Sequence, residues 1–90
     1  MKELYINPEW TFKDIVNNLE TLKLQYEGVL ASFYYFDLHE VVNFKRKIRN
    51  AIYELNFQEW KKDKIWNYMN GFEFLYVLKG IVQRETKCEK

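Results

Sequence analysis

Few residues of this sequence can carry out chemistry: the chain has one cysteine, Cys88, and one histidine, His39. A lone cysteine excludes an intramolecular disulfide and fits a reducing compartment. Nucleophilic catalysis needs a nucleophile with a base in reach, and a zinc site needs three or four suitable ligands. Because the chain offers neither set, we expect no enzyme activity, no metal, no cofactor and no small-molecule substrate. We expect His39 to lie exposed on the surface.

Glycine and proline are also few, with three Gly and one Pro. Gly28, Gly71 and Gly80 are far apart, so the sequence contains neither a P-loop nor the glycine-rich motif of a dinucleotide-binding fold. The uncharged run around the aromatic residues, Gly28 to Phe36, is far shorter than the roughly 20 residues of a membrane span. Residues Met1–Ile6 show no apolar signal-peptide region. We therefore expect a soluble, cytoplasmic protein with short connections between its elements.

Aromatic residues make up 19% of the chain and charged residues 30%, which is typical of a folded globular protein. A chain this short buries only about 60 to 65% of its unfolded surface, and large aromatic side chains help to fill its small core. We expect residues 1–90 to form one domain. Residues 1–7 would be an N-terminal arm that ends at Asn7-Pro8, and residues 86–90 a frayed polar tail.

The first half of the chain has a helical pattern. Thr11 and Asp14 resemble a capping box, and apolar residues then recur at steps of three and four: Phe12, Ile15, Leu19, Leu22, Tyr26, Val29, Phe33 and Phe36. An unbroken helix over these residues would be about 37 Å long, so we expect a break near Glu27-Gly28. The alternation from Leu22 to Tyr26 leaves an alternative open, a β-hairpin over residues 22–36.

In the second half of the chain, a helix-capping signature followed by an apolar segment occurs three times. Asp37 with Glu40 forms a D-x-x-E cap, and one face then carries Leu38, Val41, Phe44, Ile48, Ala51, Ile52 and Leu55. Asn56 with Glu59, and Asn70 with Glu73, show the same spacing before further apolar segments. The alternative here is a hairpin over residues 66–78 that turns at Asn70-Gly71.

The apolar side chains of Phe72–Val82 point in nearly every direction when the segment is wound as a helix. We therefore expect this segment to be the central element that the other helices cover. Together these patterns predict an all-α fold, a compact bundle of about four helices with short connections. An α+β fold containing one of the two hairpins is the alternative.

One face of the predicted second helix carries a second stripe, at least about 100° from Ile48: Val42, Arg46, Arg49 and Tyr53. Arginine and tyrosine are enriched in the hot spots of protein interfaces. The stripe therefore predicts a partner interface. In the alternative interpretation, the bundle covers Val42 and Tyr53 and leaves two ordinary arginines in solvent.

Four consecutive aromatic residues, Phe33 to Phe36, span about 300° of a helix, so they cannot all face one side. If Phe33 and Phe36 face inward, one or both of Tyr34 and Tyr35 reach the surface or another subunit. We add Tyr34 and Tyr35 to the predicted interface and expect a homo-oligomer, such as a dimer. Coverage of the segment on two sides within the monomer is the alternative.

Charge is unevenly distributed, although the net charge is only +1. Residues 1–40 have three Lys and seven Asp or Glu, whereas residues 41–64 have seven Lys or Arg and three Asp or Glu. A basic segment of this kind can contact phosphates. The nucleic-acid alternative therefore uses these residues of segment 45–64: Lys45, Arg46, Lys47, Arg49, Lys61, Lys62 and Lys64.

These features favour a small non-enzymatic module that binds a protein partner and masks part of its surface, as a regulator, inhibitor or adaptor. Nucleic-acid binding through residues 45–64 is the alternative. The richness in Lys, Asn, Ile, Tyr and Phe fits an AT-rich genome, and we expect a small accessory protein of a phage or mobile element.

Overall fold

A computed structural model describes residues 4–33 and 38–88, and the side chains of residues 4–33 and 38–85. Over these residues the chain forms five α-helices and no strand: α1 (Phe12–Asn17), α2 (Leu19–Ser32), α3 (Leu38–Tyr53), α4 (Glu59–Met69) and α5 (Leu75–Cys88). The predicted all-α bundle is confirmed. Both hairpin alternatives are wrong over the described residues, because α2 occupies most of the first segment and α4 and α5 occupy most of the second.

Helix α1 begins at the predicted capping box. The Thr11 hydroxyl accepts from the Asp14 backbone N–H, and the Asp14 carboxylate accepts from the Thr11 backbone N–H. The predicted break near Glu27-Gly28 is wrong. The chain breaks instead at Asn18, whose side-chain amide donates to the Asp14 carbonyl at 2.8 Å. This break divides the first predicted helix into α1 and α2, which is why there are five helices.

Helix α2 continues through Gly28 because its buried face is continuous on both sides of the glycine. Tyr26 and Val29 are both buried, and their packing outweighs the roughly 1 kcal/mol that glycine costs in a helix. Tyr26 also joins three helices. Its ring lies 5.7 Å from Phe44 of α3 and 5.9 Å from Trp66 of α4, measured between ring centres.

Helices α4 and α5 begin later than their predicted caps. Helix α4 starts at Glu59 after Gln58, which makes no side-chain cap, so Asn56 does not begin it. Asn70 does not cap α5, because its side chain is used elsewhere. Its amide donates to the Trp66 carbonyl at 2.9 Å, and its oxygen accepts from the Tyr26 hydroxyl at 3.0 Å.

The turn between α4 and α5 is a helix-ending motif with glycine in its left-handed position. Gly71 has a φ of 107°, which only glycine adopts without strain. Its N–H donates to the Tyr68 carbonyl, and the Phe72 N–H donates to the Asn67 carbonyl. These are the two hydrogen bonds of a Schellman motif.

The core is apolar and draws on every helix as well as on the N-terminal segment. Leu4 and Ile6 of the predicted arm are buried, so the arm packs on the bundle. The other buried apolar side chains are Phe12, Ile15, Val16, Leu19, Leu22, Tyr26, Val29, Phe44, Ile48, Ile52, Leu55, Ile65, Tyr68, Met69, Leu78 and Ile81.

The prediction that Phe72–Val82 is the central element is wrong. Leu78 and Ile81 are buried, but Tyr76 is 88% exposed and Phe72 is 60% exposed. Helix α5 packs against α1 and α4 on one side only, whereas α4 packs against α2, α3 and α5. Helix α5 also continues to Cys88, through residues assigned above to a frayed tail. A helix with apolar residues on all sides is therefore not necessarily covered by other helices on all sides.

No helix in the described part of the chain combines the length and apolar character needed to cross a bilayer.

Candidate functional site

The predicted stripe on α3 lies opposite the buried face of that helix. Phe44, Ile48 and Ile52 bury the inner face, while Arg46 and Arg49 are exposed and Val42 is 47% exposed. The coverage alternative therefore holds only for Tyr53, which is half-buried and packs against the core.

Leu38 extends the stripe by one turn toward the N-terminus of α3. It was assigned above to the inner face, but its side chain is 75% exposed. At about 100° per residue, Leu38 lies about 100° from the mean direction of Phe44 and Ile48 and close to that of Val42. The helical angle is the signal that could have found it. We call Leu38, Val42, Arg46, Arg49 and Tyr53 the α3 surface.

Arg49 and Tyr53 form the ordered end of the α3 surface. The guanidinium carbon of Arg49 lies 4.6 Å from the centre of the Tyr53 ring, within the range of a cation–π contact. The Tyr53 hydroxyl donates to the Asp63 carboxylate of α4. Burial, followed by the hydrogen bond and the negative charge of Asp63, raises the pKa of Tyr53, while Arg49 opposes this shift. The hydroxyl therefore remains a proton donor.

A second contact from α4 holds the same end of α3. The Lys62 ammonium donates to the backbone carbonyl of Tyr53 at 2.8 Å. A cation at the C-terminus of a helix satisfies a carbonyl that has no partner within the helix and complements the helix dipole. Asp63 and Lys62 thus fix the backbone and the ring of Tyr53 before any partner binds.

Three basic residues of the nucleic-acid alternative lie on α4: Lys61, Lys62 and Lys64. Lys61 is 5% exposed and forms an ion pair with Glu85 of α5. Lys64 lies 5.0 Å from the centre of the Phe74 ring. Lys62, as above, is held by the end of α3. The three lysines of α4 are therefore engaged within the monomer.

The basic residues of α3, in contrast to those of α4, point into solvent. Lys45, Arg46 and Lys47 are exposed, and none of them has an ion pair within residues 4–33 and 38–85. Residues 41–53 contain four basic residues and no acidic one. The outer face of α3 is thus positive along most of its length.

Tyr34 and Tyr35 of the predicted interface, and the predicted helix-capping residue Asp37, lie outside the described residues. His39 is exposed, as predicted. The part of the chain with described side chains holds no group of three or more His, Cys, Asp or Glu that could bind a metal ion.

The chain matches no protein-family model, no curated protein and no solved structure. Its function has to be inferred from its own residues.

Proposed function

We propose that this protein is a non-enzymatic module that binds an acidic site on a partner protein through the α3 surface and masks it, as a regulator, inhibitor or adaptor. The observation that carries the proposal is the Arg49–Tyr53 pair. The pair is held by Asp63 and lies in a row with the exposed apolar residues Val42 and Leu38.

The side chains of Arg49 and Tyr53 are held in place before any partner binds, and this supports the proposal. Binding immobilises side chains at a cost of about 0.5 to 1.5 kcal/mol for each flexible one. The Tyr53 ring is already fixed by Asp63, and the guanidinium of Arg49 rests on that ring. Arginine and tyrosine with this degree of order are typical of residues that contribute most of the binding energy at interfaces.

The mixture of apolar and positive groups indicates the chemistry of the partner. Leu38 and Val42 expose apolar side chains that a protein surface can cover. Arg46 and Arg49 favour carboxylates, which the planar guanidinium binds with two parallel hydrogen bonds. The proposed partner site is an apolar groove bordered by Asp or Glu.

Affinity capture with a charge reversal tests the proposal. The tagged protein and its Arg49→Glu variant are incubated with lysate of the host, and bound proteins are quantified by mass spectrometry. Arg49→Glu should reduce recovery of the specific partner at least tenfold, because it replaces the cation of the Arg49–Tyr53 pair with a carboxylate that repels the acidic site.

Lys47→Glu is the matched control. It makes the same charge reversal on the same helix, but about 130° or more from the mean direction of Val42 and Arg49. Recovery of the partner should be nearly unchanged. Equal losses in both variants would point to a general effect of charge, and no loss with Arg49→Glu would contradict the α3 surface.

Nucleic-acid binding is the second candidate, supported by the absence of acidic residues over residues 41–53. Asn43 and Asn50, both exposed, add side-chain amides that can read base edges. Fluorescence anisotropy with duplex DNA and single-stranded RNA tests this candidate. Affinity should fall about a hundredfold between 50 and 200 mM salt if four cations contact phosphates, and Lys47→Glu should weaken binding as much as Arg49→Glu. Absence of binding at 50 mM salt would exclude it.

A further inference from the structure

Helix α5 has an outward face that nothing in the described monomer covers. Among the described residues, Tyr76, Val77, Gly80, Gln83 and Arg84 line a shallow groove of about 420 Å³ on this face. Tyr76 is 88% exposed and Val77 is 44% exposed. The groove lies on the opposite side of the helix from the buried residue Leu78.

Gly80 lies at the midpoint of the groove, and packing within the monomer does not require a glycine there. A Cβ atom at position 80 would meet no atom within 4 Å. Glycine inside a helix costs about 1 kcal/mol relative to alanine. A glycine on an exposed face does, however, allow a second backbone to approach closely.

The residues on either side of Gly80 are complementary to one another. Tyr76 precedes Gly80 by four residues, and Arg84 follows it by four. In an antiparallel pair of α5 helices that cross at Gly80, the two-fold axis places Arg84 of one copy beside Tyr76 and Val77 of the other. The guanidinium then meets an aromatic ring, and the same contact occurs twice.

We propose that the outward face of α5 is a homodimer interface, in which two copies pair antiparallel about Gly80. This association uses a different helix from the α3 surface and leaves that surface free, so each dimer presents two α3 surfaces. A single pair of helices covers less than a stable interface of roughly 1,000 Å² or more. We therefore expect a dissociation constant of the order of 10 to 100 μM.

Sedimentation velocity from about 5 to 500 μM tests the proposal with two matched variants. Gly80→Leu places a bulky side chain at the crossing point and should raise the dissociation constant at least tenfold. Gly28→Leu makes the same change at an exposed position inside α2, where a Cβ atom also meets nothing within 4 Å. It should dimerise like the wild type.

A charge exchange gives a second test that does not depend on Gly80. Tyr76→Arg places two arginines together across the two-fold axis and should abolish the dimer, while the double variant Tyr76→Arg/Arg84→Tyr should restore it. Residues 76 and 84 are about 12 Å apart along one helix, so the rescue can come only from a second copy.

Three results would overturn the proposal. These are a wild type that stays monomeric up to 500 μM, a Gly80→Leu variant that dimerises like the wild type, and an equal loss of dimer in Gly80→Leu and Gly28→Leu. Helical circular dichroism at 5 μM checks that each variant is folded. If Gly80→Leu is unfolded, the exchange of Tyr76 and Arg84 decides, and failure of the double variant to dimerise would count against the pairing.

Discussion

The guanidinium carbon of Arg49 lies 4.6 Å from the centre of the Tyr53 ring, one helical turn further along α3. The Tyr53 hydroxyl in turn donates to Asp63 of α4, so a surface arginine is supported by a contact between two helices. The order of the α3 surface therefore depends on how α3 packs against α4. A change in α4 that does not touch a partner should still weaken partner binding.

Tyr53→Phe tests whether the hydrogen bond between Tyr53 and Asp63 holds α3 against α4. The variant keeps the ring under Arg49 but loses the hydrogen bond to Asp63, and should lower the free energy of unfolding by about 0.5 to 1 kcal/mol. Asp63→Ala should cost a similar amount. Urea unfolding of both single variants and the double variant measures their coupling, and fully additive effects would show that the hydrogen bond does not contribute to stability.

The ion pair between Lys61 and Glu85 should respond unequally to removal of its two members. Glu85→Ala leaves the buried ammonium of Lys61 without its carboxylate, and we expect a loss of about 1 to 2 kcal/mol. The Lys61 ammonium also lies 4.6 Å from the centre of the Phe12 ring. Lys61→Met keeps an unbranched chain against that ring and leaves the carboxylate of Glu85, which is half-exposed to water. It should cost less than about 1 kcal/mol. Thermal unfolding distinguishes the two variants, and a larger loss for Lys61→Met would contradict this account.

Stability should fall in alkaline solution. Burial raises the pKa of Tyr26, Tyr53 and Tyr68 above the ordinary value, so the unfolded chain releases these protons at a lower pH than the folded protein. The stability that these tyrosines contribute is fully present below their unfolded pKa of about 10. It is lost as the pH rises through their pKa values in the folded protein. Urea unfolding between pH 8 and 11 should show this loss. Tyr26→Phe should reduce its slope, and an unchanged slope would exclude Tyr26 as a contributor.

Two glycines should respond to alanine in opposite directions. Gly28 lies inside α2 with open space at its Cβ position, so Gly28→Ala should stabilise the protein by about 0.5 to 1 kcal/mol. Gly71 has a φ of 107° in the turn before α5, so Gly71→Ala should cost about 1 to 2 kcal/mol. Thermal unfolding of both variants measures the contrast, and a stabilising Gly71→Ala would show that the turn can adopt another conformation.

Features that depend on residues close together in the chain could be predicted from the amino-acid sequence alone. The steps of three and four predicted the helices, Thr11 and Asp14 predicted the start of α1, and the spacing of Val42 to Tyr53 predicted which residues of α3 share a face. Hydrogen bonds within a helix and the angle between successive side chains are local properties, so the residue pattern carries them directly.

The covered face of each helix, and the polar groups that meet one another, depend on how the helices pack together. The Tyr26 hydroxyl meets Asn70, which therefore does not cap α5, and Lys61 is buried against Glu85 and not exposed in a basic patch. Helix α5, apolar on several sides, is covered on one side alone. Burial depends on which helix lies alongside. The Tyr26–Asn70 and Lys61–Glu85 contacts join residues 44 and 24 positions apart, so no local pattern could predict them.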